Sequence, residues 1–364
     1  MRGKGFFILM ALTVVVVLGA SLALREQSSA PQSGQLLFEN LLAKVNDVAR
    51  VDIASAGKNF TLERVDASAW IVPARDGFPV TSDKVRKLLV GMANLERLQA
   101  KTGKPERFAE LGLSDPAMQE SRAVGFSLVD SAGAVVTTLI VGDRRPAKGD
   151  ATRNEYFVRV PGEDSSWLVA GSLPDESGEL FDWLASRVAF IRDARIARAR
   201  ITHADGEVVT VARETPSTDS FAFVELPADA QQGQVWRIND IGRVLTDLTL
   251  IDVKPAADVP GDAQQIEFVT ETFDGLRVRM RVYDVGPEPW AQLVAEFDES
   301  LIAPPQQDPP SEPVDANKVR EEVQQLNERW SRWAYQLSRF KGDTLRRRQK
   351  ELIETPKEAP KPAG

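Results

Sequence analysis

The sequence predicts an α+β protein: an N-terminal single transmembrane helix followed by two tandem copies of a mostly antiparallel unit that runs strand, strand, strand, helix and then a meander. Three observations predict it. An uncharged apolar run from Gly5 to Leu24 follows Arg2 and Lys4. One order of alternating and helical apolar patterns recurs along the rest of the chain. The 364 residues include no cysteine, and 43% of them are hydrophobic, so the large region after the run is held by its core alone.

The N-terminal run holds Phe6, Phe7, Ile8, Leu9 and Val14 to Val17. Roughly 19 residues from Phe6 to Leu24, at about 1.5 Å each, make about 28 Å of helix, close to the ~30 Å hydrocarbon core of a bilayer. Residues 1–25 are therefore read as a transmembrane anchor or uncleaved signal, and 26–47 as a juxtamembrane segment. The cations before the run place the following domain outside the cytoplasm. A cleaved secretory signal is the rival reading, because Ser21 and Ala23, or Ser28 and Ala30, offer small residues at cleavage-like spacing. Both readings export the domain. The expected topology is single-pass, with the large C-terminal domain outside the cytoplasm. Without cysteine, lipid attachment to a thiol, disulfides and thiolate metal sites are excluded.

The first copy is placed at 48–192. Val48 to Ala54 and Phe60 to Arg64 alternate apolar and polar residues around Ala56-Gly57-Lys58-Asn59, the pattern of a half-buried hairpin. Trp70-Ile71-Val72 reads as a third strand. Thr81 or Ser82 caps a helix whose apolar residues Val85, Leu88, Leu89, Met92 and Leu95 recur at three and four positions. Past a Gly/Pro-punctuated loop, Val124 to Val129 and Val135 to Val141 turn through Asp130-Ser131-Ala132-Gly133. Strands follow at Tyr156 to Val160 and Trp167 to Ala170, then a helix around Leu180 to Ala189. The second copy is placed at 193–300. Its hairpin pairs Ala199 to Thr202 with Glu207 to Arg213 around His203-Ala204-Asp205-Gly206. Val235 to Ile238 is read as the third strand, and Ile241, Val244, Leu245, Leu248 and Leu250 as the helix stripe. Ile266 to Thr270 and Leu276 to Val282 turn through Asp274-Gly275, and Trp290 to Phe297 continues the sheet.

Residues 301–315 form a Pro-rich loop, and 316–354 a helix, strand and helix that complete the second copy. Spacing alone carries the first of these helices from Val319, Val323, Leu326 and Trp330 on through Trp333, Leu337 and Phe340. The order of the first copy argues otherwise, since Trp333 to Leu337 stands where Trp167 to Ala170 stood. A strand is therefore expected there, with a last helix from about Gly342 to Ile353. Residues 355–364, rich in Pro, Lys and Ala, read as a disordered tail.

A net charge of -8 argues against broad binding to nucleic acid, which needs basic patches. Arg346, Arg347, Arg348 and Lys350 are read as the solvated face of a helix. His203 is the one histidine, placed in an exposed turn, so histidine metal clusters and most nucleophile-base sets lack a second member. No nucleophile elbow, phosphate loop or dinucleotide fingerprint occurs, and no enzyme activity, cofactor or metal is expected. Asp143 and Asp150 flank a loop whose Arg144, Arg145 and Lys148 compete with a hard cation, so it is read as a hairpin tip. Glu176, Glu179 and Asp182 stand near a predicted helix start, where the dipole favours acids. Trp70, Trp167, Trp236, Trp290 and Trp333 fall on predicted strands as sheet packing, whereas Trp183 and Trp330 fall on predicted helices as partner anchors. The candidate partner-binding residues are Val319, Val323, Leu326 and Trp330.

Trp70, Phe78-Pro79-Val80-Thr81, a helix ending at Leu95 and the stretch Phe108 to Pro116 make up one pattern. Leu139 to Gly142, Tyr156 to Arg159 and Trp167 to Val169 continue it, and Asn327 to Leu345, with Trp333-Ala334-Tyr335 and Phe340-Lys341, closes it. In these residues the chain resembles the bacterial domain-of-unknown-function 4340 family, although the second copy is diverged and the Pro-rich insertion stands outside the pattern. The resemblance implies a membrane-anchored protein whose gene lies beside those of a gliding-motility-type ABC transporter. It implies the inner membrane, an ABC permease, an ATPase and an exported auxiliary subunit as partners, and it carries no catalytic residues. The expected function is a non-catalytic accessory protein that offers a sheet edge or the Val319 to Trp330 helix to a partner. The alternative is a ligand- or envelope-polymer-binding module that uses a groove between the two copies.

Overall fold

A computed structural model describes residues 34–147, 150–174, 178–259, 264–283, 288–304 and 314–354. The expected anchor at 1–25, residues 26–33, most of the Pro-rich loop and the tail 355–364 lie outside the described residues. Among the described residues no helix is long and apolar enough to cross a membrane. The structure is a mixed α/β architecture with mostly antiparallel sheets, and the chain divides into two units between Leu184 and Ala185.

The first unit begins with a turn of helix, α1 (Leu41–Lys44), and the hairpin β1 (Val48–Ser55) and β2 (Lys58–Arg64). In β1, Val51 and Ile53 are buried while Arg50, Asp52 and Ala54, which alternate with them, are not, as the two-residue period of a strand requires. Then follow β3 (Trp70–Val72), β4 (Phe78–Pro79) and α2 (Ser82–Ala93), which buries Val85, Leu88, Leu89 and Met92 at the expected three-and-four spacing. The remaining strands are β5 (Glu96–Ala100), β6 (Val124–Asp130), β7 (Val135–Ala147), β8 (Asp150–Arg159) and β9 (Trp167–Gly171). They make one sheet in the order β4-β3-β2-β1-β6-β7-β8-β9-β5. Residues 101–123, between β5 and β6, pack on the sheet. Leu113 and Ala123 join Ile140 of β7 in a buried cluster that Phe108, Leu111 and Phe157 flank. Ile140 is in register with Gly125, and Gly125 with Ala54, so this cover lies on the face opposite Val51 and Ile53.

The helix expected over Leu180 to Ala189 is absent. A single 3-10 turn, Leu180–Asp182, precedes the chain division, and β10 (Arg187–Ala189) pairs with β15 (Leu248–Pro255) of the second unit. The second unit continues through β11 (Ile196–His203), β12 (Val208–Ala212), β13 (Ala222–Phe223) and β14 (Gln231–Gln232) to α3 (Val235–Gly242). After β15 come β16 (Gln264–Thr272), β17 (Leu276–Tyr283), β18 (Trp290–Phe297), α4 (Ala316–Trp330), β19 (Trp333–Leu337), α5 (Arg339–Leu345) and β20 (Ile353–Glu354). The sheet order is β10-β15-β19-β18-β17-β16-β11-β12-β13, with a separate β14-β20 pair. In both units a hairpin, a short outer strand, a helix and a return strand precede four meandering strands. The first of those four pairs with the hairpin and the last with the return strand.

Three expectations for this unit are corrected. Val235 to Ile238 is the first half of α3, not a strand: Trp236 is 53% exposed, and the helical spacing of Ile238, Ile241 and Leu245 buries one face. The short third strand is β13, and of the stripe expected on the following helix Val244 and Leu245 lie in a 3-10 turn while Leu248 and Leu250 fall on β15. Secondly, His203 ends β11 and is buried, rather than lying in an exposed turn. Thirdly, the last helix stops at Leu345, because the chain beyond it is drawn into contacts with separate acids and into β20. The strand at Trp333 to Leu337 does form, paired with β15.

Candidate functional site

The four residues predicted to meet a partner all lie on α4. The side chain of Asp315 caps its start by accepting from the Asn317 and Lys318 amides. Val319 is 5% and Trp330 is 1% exposed, while Val323 and Leu326 are half-buried. Trp330 Nε1 donates to the Val188 carbonyl of β10 at 3.0 Å, so the indole is spent within its own unit. Asn327 holds the helix to β18: the Ala295 amide donates to Oδ1 at 2.8 Å, and Nδ2 donates to the Ala295 carbonyl at 2.9 Å. Arg195 donates twice to Glu322, at 2.9 and 2.7 Å, and once to Asp274 at 2.7 Å. Burial alone would lower the Arg195 pKa, and these two acids outweigh it and raise it. The other expected anchor, Trp183, is also fully buried, edge-on to Phe126. Trp183 and Trp330 are thus core residues. Four of the five tryptophans expected on strands are there, Trp70 and Trp333 buried and Trp167 and Trp290 half-buried, while Trp236 is on α3.

The basic stretch is corrected as well. Arg347 donates to Asp240 at 2.9 Å and to the Arg237 carbonyl at 2.6 Å, and Arg348 reaches Asp205 at 2.7 Å and Glu207 at 2.9 Å. These cations strap residues 346–354 to the second unit rather than forming a solvated helix face, because each finds an acid or a carbonyl on another element. The hydrogen bond from Arg348 lowers the Asp205 pKa. Burial would raise that of Glu207, but the Gln349 amide and Arg348 outweigh it and lower it. His203 Nε2 lies 3.0 Å from the Arg347 carbonyl and donates to it. In the first unit Asp143 pairs with Arg122 at 3.0 Å, and Glu179 with Lys58 at 3.3 Å. Lys148 and Glu176 lie outside the described residues. Among the described residues no three His, Cys, Asp or Glu side chains are grouped to hold a metal ion.

What the sequence reading missed is a face. Across β11, β16, β17 and β18, Arg198, Glu271, Arg277 and Glu296 stand in register. The next row is Arg200, Val269, Arg279 and Val294, and the third is Thr202, Glu267, Arg281 and Gln292. The intervening residues, among them Ile201, Phe268, Met280 and Leu293, are buried on the opposite side. Arg277 pairs with Glu271 at 3.0 Å and Asp298 at 2.8 Å, and Arg279 with Glu267 at 3.2 Å. Among the described residues Arg200 and Arg281 make no ion pair. Two shallow depressions of about 250 and 270 Å³ lie between these side chains. The alternation of each strand signals such a face, but only the register brings the charges into rows.

A family model described as Domain of unknown function (DUF4340) matches residues 70–267, more than half of the chain, from β3 into β16. No curated protein and no solved structure matches the chain.

Proposed function

The chain belongs to the family described as a domain of unknown function, DUF4340, and from that premise we propose that it is a non-catalytic, membrane-anchored periplasmic accessory protein that binds partner subunits. The complex we propose is a gliding-motility-type ABC transporter, with this chain as an auxiliary subunit. The apolar run Gly5 to Leu24 supports the anchor. The gene neighbourhood implied by the family resemblance supports the transporter. We also propose that the two units descend from a tandem duplication, a reading supported by their common order of connections.

One observation carries the binding role: the face of β11, β16, β17 and β18, uncovered among the described residues, where five arginines meet three glutamates in an acidic chain. Paired arginines on such a face stay in water at little gain. Arg200 and Arg281 are left to steer and dock an acidic surface. The test is purification of the full chain from its own membranes in mild detergent, with mass spectrometry of what accompanies it. Recovery of an ABC permease and ATPase, reduced about tenfold by joint Arg200→Glu and Arg281→Glu substitution, is the expected result. Bait alone, or recovery indifferent to the double substitution, would sink the reading.

A further inference from the structure

We propose that the first unit binds a small organic anion, a carboxylate or phosphate ester with an apolar portion, in the cleft between α2 and the turn after β9. This inference stands apart from the partner reading, since none of its residues lies on the second sheet. The cleft measures about 750 Å³, within the roughly 300–1,000 Å³ of small-molecule sites. Arg86, Lys87 and Val90 of α2 form one wall, and residues 172–174 form the other. Glu96 and Arg153, paired at 3.0 Å, also line it.

The walls are fixed by a hydrogen bond and by close backbone contacts. The Leu173 amide donates to the phenol oxygen of Tyr156 at 3.2 Å, and Tyr156 is fully buried, so the turn is pinned from beneath. A Cβ on Gly91 would run into the Ser172 carbonyl oxygen, and one on Gly171 would lie 2.7 Å from Leu95 Cδ2. Helix and turn therefore touch backbone to backbone at the base, where no side chain fills the space. A cleft whose walls are set before a ligand arrives binds without first being ordered.

Its chemistry selects the ligand. Arg86, Lys87 and Arg153 face one acid, Glu96, so the lining is cationic although the chain as a whole carries -8. Arg86 is engaged by Asp83 and Arg153 by Glu96, which leaves Lys87 as the cation that makes no ion pair among the described residues. Lys87 is the anchor for the anionic group. Val90, Leu173 and Pro174 supply apolar surface beside it, and the volume exceeds what an inorganic anion needs.

Calorimetric titration of the full chain with phenyl phosphate and with 4-phenylbutyrate tests this, with benzyl alcohol as the neutral control. Single-site saturation by at least one of the two anions, weakened about tenfold or more by Lys87→Gln and unchanged by Arg192→Gln at an exposed position outside the cleft, is expected. Lys87 is exposed, and unchanged thermal unfolding of the variant verifies its fold. The proposal is overturned by failure of both anions to saturate, by equal binding of the alcohol, or by binding that Lys87→Gln leaves intact.

Discussion

In the first unit residues 101–123 lie over the sheet face of Ala54, Gly125 and Ile140, whereas in the second the link between β15 and β16 runs only from residue 256 to 263 and the matching face is uncovered among the described residues. The long connection of the second unit falls elsewhere, between β18 and β19, and carries α4. In the first unit that same link is a turn at 160–166. Two sheets that share one order over eight strands thus differ in which connection is lengthened, and the side chains follow. The covered face has Ile140 and Phe157 beneath Leu113, and the bare one has rows of arginine and glutamate. A face under cover loses water and favours apolar residues, while an open face keeps charges at little desolvation cost.

The sharpest way to break this comparison is to remove the keystone of the second unit's long connection. Trp330→Ala deletes a fully buried indole and its hydrogen bond to Val188. The expected loss is about 3–5 kcal/mol, read by urea unfolding. Amide exchange should quicken in β10, β18 and β19 and stay unchanged in α2. A loss below about 1 kcal/mol would mean that α4 is an ornament on the sheet rather than part of it.

The corresponding test in the first unit is milder. Gly142 lies where the cover meets the sheet: a Cβ there would overlap the Leu111 carbonyl oxygen and stand 2.9 Å from the Gly112 oxygen. Both obstacles are backbone, and Gly112 itself sits at φ 67°, where side chains are disfavoured. Gly142→Ala should therefore lift the cover at a cost of about 1–3 kcal/mol in chemical denaturation. On the bare face, Val294, 49% exposed, changed to Ala should stay within about 0.5 kcal/mol of the parent. Equal losses at the two positions would erase the distinction between covered and open faces.

Much of this architecture was legible where a pattern runs for five residues or more, but β15 was not, because Leu248 and Leu250 continue the apolar spacing of Ile241, Val244 and Leu245 and so read as helix. The alternation of β1, β11, β16 and β17 and the stripes of α2 and α4 place themselves, because burial of one face imposes a period. Strands of two or three residues such as β4, β10, β13, β14 and β20 carry too few positions to show one, and they form because a neighbour supplies the ladder. Val235-Trp236-Arg237-Ile238 misleads for a related reason: its residues favour strands, and Gln234 before them offers no capping hydrogen bond. The candidate surfaces were harder still. Arg200 and Arg281 are 81 positions apart in number and meet on one face only through the registers of β16 with β11 and β17. Nothing near Tyr156 in sequence announces that its phenol holds Leu173.

The weakest effect concerns how each unit closes. In the first, Val80 bridges Leu184 just before α2, and the buried residues Trp183 and Leu184 make the closure apolar. In the second, β20 pairs with β14 just before α3, and ions hold the strap through Arg348 with Asp205 and Glu207. Both carboxylates have folded pKa values below their ordinary ones. Their contribution is therefore present above the unfolded values of about 3.9 and 4.3 and is lost as pH falls through the lower folded values. Amide exchange of residues 349–354 should be protected to the same degree between about pH 8 and pH 5 and loosen below about pH 4, with no such step at Val80 and Thr81. Arg348→Gln should weaken that protection near neutral pH and flatten its acid step, since the carboxylates then have little to lose on protonation. An acid step of equal size at both closures would show that charge is not what distinguishes them.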